Sequence, residues 1–308
     1  MKINKLMATV ATSLTLFTGV LAVAPSASAV PITFSAIKPA NSWSSVAVDP
    51  VTGKVYEHWN FISATVKVYA NTTQFAAGNA SSTLTLATPI YGTYFAVNNG
   101  QLFGRTTNDT TAVATFSTST GAVTATLAGY PGMGGINFND TFNWGGYSGV
   151  NFMQDSTGMY VMGGVNGNTN WQIEKLGTGL ASVKSTVYNP NHALGYGFII
   201  NGILFTGDSY NSDTVTKSIN LATGQVSTVN DTLVGLGASL YMSNFSYDYS
   251  SDTLYAANQN GDTFFKASNA SVQFGAPRVA AVPEPGSLTL LGLGMTGLIL
   301  ARRKQRAS

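Results

Sequence analysis

The stretch Asp49-Pro50-Val51-Thr52-Gly53-Lys54-Val55-Tyr56 carries the pattern that decides the fold: a polar turn, an apolar residue, then an aromatic one. The pattern returns as Asn99-Gly100-Gln101-Leu102-Phe103 and as Asp155-Ser156-Thr157-Gly158-Met159-Tyr160. It comes twice more, as Asn201-Gly202-Ile203-Leu204-Phe205 and Asp252-Thr253-Leu254-Tyr255. Successive aromatics are 47, 57, 45 and 50 residues apart, and the longest gap holds the glycine-rich insert Pro131-Gly132-Met133-Gly134-Gly135. A second turn follows at a steady offset: Thr120-Gly121-Ala122-Val123, Thr178-Gly179-Leu180 and Thr223-Gly224-Gln225-Val226 end 20, 20 and 21 residues after their aromatics. Each turn places Gly or Asn where a tight hairpin demands positive φ.

Two hairpins make four strands, and four strands in about 45–50 residues is the spacing of a propeller blade. Over residues 40–275 the body resembles β-propeller repeats, without the Trp-Asp signature of one large propeller class. Five units predict an all-β, five-bladed propeller over the body, residues 30–280. The early strand Ile32-Thr33-Phe34-Ser35-Ala36-Ile37 is expected to complete the last blade, whose own second hairpin is poorly marked after Phe265. A two-sheet sandwich is the structural alternative, because alternating strands and glycine turns also suit it. Composition agrees with either: among 308 residues only 9% are charged and 11% are aromatic, too apolar for disorder and too poor in Glu, Lys and Leu for helices.

The net charge of +2 is unevenly placed. Lys2, Lys5, Arg302, Arg303, Lys304 and Arg306 lie at the chain ends, which leaves nine basic and twelve acidic residues in the body. A weakly acidic body lacks the footprint of nucleic-acid binding. The chain has no Cys, which excludes thiol nucleophiles, Cys-ligated zinc and disulfides. The body's own core must hold it together.

Both ends read as addresses. Lys2 and Lys5 precede an uncharged apolar stretch from Leu6 to Val23, Pro25 breaks it, and Ala27-Ser28-Ala29 is a small-x-small cleavage pattern. Residues 1–29 are therefore expected to be a secretory signal peptide, read by the Sec machinery and cut after Ala29. At the other end, Pro283-Glu284-Pro285 precedes an apolar Gly/Leu-rich run over 287–301 and the cluster Arg302-Arg303-Lys304-Gln305-Arg306. Fifteen helical residues span only about 22 Å, so a membrane helix there must thin the bilayer or snorkel its flanking arginines. The basic cluster stays cytoplasmic by the positive-inside rule, which puts the body on the outer face.

Residues 281–308 resemble a PEP-CTERM sorting signal, with all three parts in order at the chain end. The resemblance implies recognition by an exosortase, removal of the tail near Pro283, Glu284 and Pro285, and delivery to the cell surface or extracellular matrix of a diderm bacterium, commonly one that makes exopolysaccharide. The three motif residues are there to be recognised, not to catalyse. Two prolines hold the segment extended, and one carboxylate offers a processing enzyme a single charge to grip.

Catalytic chemistry is thinly represented in the body. His58, in Tyr56-Glu57-His58-Trp59, and His192, in Asn189-Pro190-Asn191-His192, are its neutral-pH acid–base groups, and each reads best as a loop or packing histidine. Gly146-Tyr147-Ser148-Gly149-Val150 lacks the spacing of a nucleophile elbow. The glycines of 163–167 and 132–135 lack the Lys and helix of a phosphate loop. Asp208-Ser209-Tyr210-Asn211-Ser212-Asp213 and Asn258-Gln259-Asn260-Gly261-Asp262 gather oxygen ligands that suit calcium, but also suit plain hairpin tips. No other cofactor is expected.

Aromatics interleaved with amides, in Asn137-Phe138-Asn139-Asp140-Thr141-Phe142-Asn143-Trp144 and Tyr241-Met242-Ser243-Asn244-Phe245, suit sugar rings. Phe138, Phe142 and Trp144 are the glycan-contact candidates. The composition thus favours a non-catalytic surface module that binds glycan, such as exopolysaccharide, or a surface protein. The alternative is an exported propeller enzyme, a polysaccharide lyase or hydrolase or a lactonase-like protein, using Asp140, Asp155, His58 or His192 at a central funnel.

Overall fold

The computed structural model describes residues 31–40, 43–60, 62–106, 112–128, 150–165, 170–190, 194–237, 240–258 and 263–275. Two short strands, β1 (Ile32–Thr33) and β2 (Ser35–Pro39), come first. Blade one is β3 (Ser45–Val48), β4 (Val55–His58), β5 (Ile62–Tyr69) and β6 (Ser82–Tyr91), with helix α1 (Thr72–Ala76) between its last two strands. Blade two is β7 (Ala96–Asn98), β8 (Gln101–Arg105), β9 (Ala112–Ser117) and β10 (Val123–Ala128). Blade three is β11 (Val150–Asp155), β12 (Gly158–Val165), β13 (Asn170–Leu176) and β14 (Ser182–Tyr188). Blade four is β15 (Tyr196–Ile200), β16 (Ile203–Gly207), β17 (Thr214–Asn220) and β18 (Val226–Val234). Blade five is β19 (Met242–Asp248), β20 (Thr253–Asn258) and β21 (Thr263–Ser268), and β2 supplies its outer strand. The molecule is the five-bladed propeller its repeats predict.

The closing segment does more than expected. Ser35–Pro39 completes blade five against β21, but Ile32 and Thr33 pair in parallel with Leu233 and Val234 of blade four. The strand expected over Ile32–Ile37 is thus two, and it clasps two blades. Gly235 (φ +90°) permits the crossing, since a Cβ there would lie 2.3 Å from the Phe34 carbonyl oxygen.

The turns follow the repeat. Asn99-Gly100 and Asn201-Gly202 have positive φ at both residues, as a two-residue hairpin matched to strand twist requires. In blades one and three an aspartate in the first turn reaches sideways to the next blade. The buried Asp49 carboxylate accepts from its own turn (Val51 N, 3.0 Å; Thr52 Oγ1, 2.9 Å) and from the blade-two turn (Asn99 N, 3.1 Å; Gly100 N, 3.3 Å). Asp155 does the same between blades three and four, accepting from Thr157 N, Thr157 Oγ1 and Gly202 N.

Period-two alternation then sends neighbouring residues into opposite blade interfaces. Val46 packs with blade five and Ala47 with blade two, while Phe198 packs with blade five and Ile199 with blade three. The buried apolar residues fall into five clusters, one for each interface between blades.

Candidate functional site

Side-chain hydrogen bonds tie the inner strands to one another around the propeller axis. The inner strands each present an unpaired edge to it, and three buried amides satisfy part of those edges. Asn151 Nδ2 donates to Gly197 O (2.7 Å), Gln154 Nε2 donates to Val48 O (2.8 Å), and Asn244 Oδ1 accepts from Val46 N (3.2 Å). Beside Gln154 lies a cavity of about 10 Å³, lined by Phe152, Gln154, Phe198, Phe245 and Ser246 among others. That is the volume of roughly one water.

The acid–base candidates that are described do not meet. Asp155 stands at the end of its inner strand, in the turn it staples, whereas His58 pairs with Ser45 at the start of the inner strand β3. The two lie at opposite ends of the propeller. At Asp155's end, Asp49 and Asp248 flank Tyr249: burial pushes that hydroxyl's pKa up, Asn98 opposes this, and the charges of Asp49, Asp248 and Asp155 push it further up. These carboxylates are committed to turns, Asp248 accepting from Ser250 N, Ser250 Oγ and Ser251 Oγ. Among the described residues no three His, Cys, Asp or Glu side chains gather as a metal site would require. The 208–213 tip is held internally: Asp208 Oδ1 accepts from Thr216 Oγ1, and Asp213 Oδ1 from Thr214 Oγ1. Asn258 is buried, accepting from Tyr241 N and donating to Leu236 O.

His58 is a packing residue. It is fully buried, 5.9 Å from the Phe95 ring centre, and its Nε2 donates to Ser63 O (3.2 Å). Nδ1 meets no polar atom among the described residues, so a second proton there would place an unanswered charge in the interior. Burial accordingly lowers its pKa to about 4, with the Ser63 bond opposing. In the unfolded chain the imidazole takes its proton near pH 6.5, before the folded one does. Stability should fall as pH drops from 6.5 to 4, by roughly 3 kcal/mol in all. Denaturant unfolding at several pH values should show a flatter slope in His58→Gln than in wild type over that window.

A wide cavity lies elsewhere, in a groove between blades three and four at the turn end. Its volume is about 340 Å³, and it is walled by Thr157, Tyr160, Lys175 and Lys184 on one side and Asn201 and Asn220 on the other, over a floor that includes Ile173, Ile203 and Leu221. The groove is locally built. The Thr178-Gly179 turn (Gly179 φ +66°) brings Lys184 directly opposite Lys175, and the next strand sets Tyr160 opposite Lys175. Lys184 then crosses the gap to donate to the carbonyls of Leu221 and Ala222, and Asp155 pins Gly202.

Of the sugar-contact candidates, Tyr241 joins Trp43 (5.4 Å between ring centres) and Tyr210 (4.8 Å) in a half-buried aromatic group, while Met242, Asn244 and Phe245 go to the core. Phe138, Phe142, Trp144, Asp140, His192, the Ala27/Ala29 cleavage site and everything from Pro283 to Arg306 lie outside the described residues. Among the described residues no helix is long and apolar enough to cross a membrane.

With that geometry in view, comparison with known families finds the olfactomedin-like domain over residues 38–269, about three-quarters of the chain. The chain belongs to the olfactomedin-like domain family. Residues 281–304 match the PEP-CTERM protein-sorting motif, which marks an exported, exosortase-processed, surface-associated protein. A comparison with curated proteins found no significant match. Among solved structures, a glutaminyl cyclase from Myxococcus xanthus is similar at 14% identity, with 77% of this chain and 97% of that one covered and a TM-score of 0.49. BamB from Moraxella catarrhalis follows at 14% identity, 71% and 59% coverage and a TM-score of 0.35. The computationally designed Ika8 protein gives 13%, 70% and 55%, and 0.37.

Proposed function

We propose that this olfactomedin-like propeller is a non-catalytic glycan-binding module, displayed at the bacterial surface. In this reading the Sec machinery exports the chain under its signal peptide, the 287–301 run holds it in the inner membrane, and an exosortase removes the tail near Pro283-Glu284-Pro285. Release then places it at the cell surface or in an exopolysaccharide matrix.

The observation that carries the binding assignment is the groove between blades three and four. It joins a tyrosine ring and aliphatic wall to hydroxyl and amide groups, the combination that holds a sugar ring by its faces and hydroxyls. Among the described residues its wall contains no His, Asp, Glu or Cys, so the described wall is equipped to hold a ligand and poorly equipped to move protons.

Purified protein incubated with a panel of soluble polysaccharides should retain one or more on a column without releasing reducing ends. Release of reducing ends would transfer the assignment to the enzyme alternative. For the processing step, mass spectrometry of surface material should find chains ending near Pro285. An intact Arg302–Arg306 tail on all of it would remove the exosortase from the account.

A further inference from the structure

Resting on the glycan-binding assignment, we propose that the groove between blades three and four is a subsite for an acidic sugar, with Lys175 contacting the ligand's carboxylate. Two like charges meet in the wall of the groove. Tyr160, Lys175 and Lys184 stand side by side across β12, β13 and β14, so that two lysines are directly opposed in register on neighbouring strands. Like charges in that relation repel. Among the described residues the ion pair present is Lys38 with Glu57, far along the chain, so neither lysine of the groove is ion-paired to a described carboxylate.

The two lysines are not equivalent. Lys184 is held by the carbonyl oxygens of Leu221 and Ala222 on the opposite blade, which fixes it as part of the wall. Lys175 makes no hydrogen bond to a described residue; its ammonium lies 5.9 Å from the centre of the Tyr160 ring, at the lip of the cavity. Its three donors are open to an anion held in the groove that Lys175 lines. An anion between the lysines would turn a repulsive pair into a bridged one.

The rest of the wall says which anion. Ile173, Ile203 and Leu221 offer carbon surface, while Thr157, Thr186, Asn201 and Asn220 offer donors and acceptors suited to hydroxyl groups. A bare phosphate would use the lysines and leave that apolar floor wet. A sugar acid uses all three kinds of surface at once, and the volume of about 340 Å³ lies within the range of small-molecule sites. The walls are set before binding, since the Gly202 turn is pinned by Asp155 and the blade-four strand end by Lys184, which lowers the ordering cost of association.

The test is calorimetric titration of the purified protein with three probes: an oligogalacturonate, the neutral methyl ester of the same oligomer, and inorganic phosphate. The acid should bind, and the ester should bind about tenfold or more weakly, the worth of one charge-assisted hydrogen bond. Lys175→Met should lose about the same factor for the acid and nothing for the ester. Without ligand, Lys175→Met should melt no lower than wild type, which shows the loss is not unfolding. Equal binding of acid and ester, an unaffected Lys175→Met, or phosphate competing as well as the acid would each overturn the acidic subsite while leaving glycan binding in place. Binding of no saccharide by this titration or the polysaccharide panel would overturn both.

Discussion

Lys38→Ala is expected to destabilise the propeller by about 3–5 kcal/mol, read as a drop in the denaturant midpoint. The Lys38 ammonium lies 2.8 Å from Glu57 Oε2 and 3.2 Å from the Tyr69 hydroxyl, with the rings of Phe75, Tyr69 and Phe264 at 4.3, 4.8 and 5.6 Å. Glu57 is 1% exposed. Lys38 belongs to β2, the last strand of blade five, and Glu57 to blade one, so this ion pair locks the ring where its two ends meet. Removing the cation strands a buried carboxylate to which, among the described residues, only the Tyr69 hydroxyl then donates. The double variant Lys38→Met with Glu57→Gln should recover much of the loss, because neither partner is then left charged and alone. A Lys38→Ala midpoint equal to wild type would mean that the closure is held by strand pairing alone.

Phe198→Ala is expected to cost a similar 3–5 kcal/mol. Phe198 is 1% exposed on an inner strand, with ring centres of Phe245, Phe274 and Phe205 at 4.9, 5.0 and 5.7 Å. It borders the small axial cavity, which truncation would enlarge into a void surrounded by rigid inner strands. Those strands cannot collapse into the space, since the amides of Asn151, Gln154 and Asn244 tie them to one another. Phe198→Leu keeps most of the volume and should cost under about 1.5 kcal/mol. Equal losses for the two variants would point away from cavity formation.

The parts of this architecture legible in sequence were those written in contiguous residues. The Asn-Gly and Thr-Gly turns announce themselves because positive φ selects the residue type at the spot, and five such units in series count the blades. The sorting motif is legible for the same reason. Helix α1 was missed: five residues behind the Asn71 cap are too short for a period to register. The division of the N-terminal strand between blades four and five was missed because its partners, Leu233 and Lys266, lie more than 200 residues away.

The groove was harder still. Lys175 and Lys184 are ordinary solvated cations until the register of one hairpin sets them face to face, and Asn201 and Asn220 reach them only through blade packing. The register shift beside Leu176 that brings the two lysines opposite each other has no marker in the residues themselves. Asp155 shows the converse case: a carboxylate that suggested chemistry is occupied in bonding two turns.

The clasp of Ile32–Pro39 has a consequence in time as well as space. These are among the first residues of the body to leave the ribosome, yet their partners in β18 and β21 are among the last. Four blades can assemble while the chain is still emerging, but the circle stays open, with β19–β21 lacking an outer strand, until both ends are present. Pairings over such sequence distances form slowly. The ring therefore cannot lock into its finished shape prematurely: its own geometry holds the final step back until the last blade has been made.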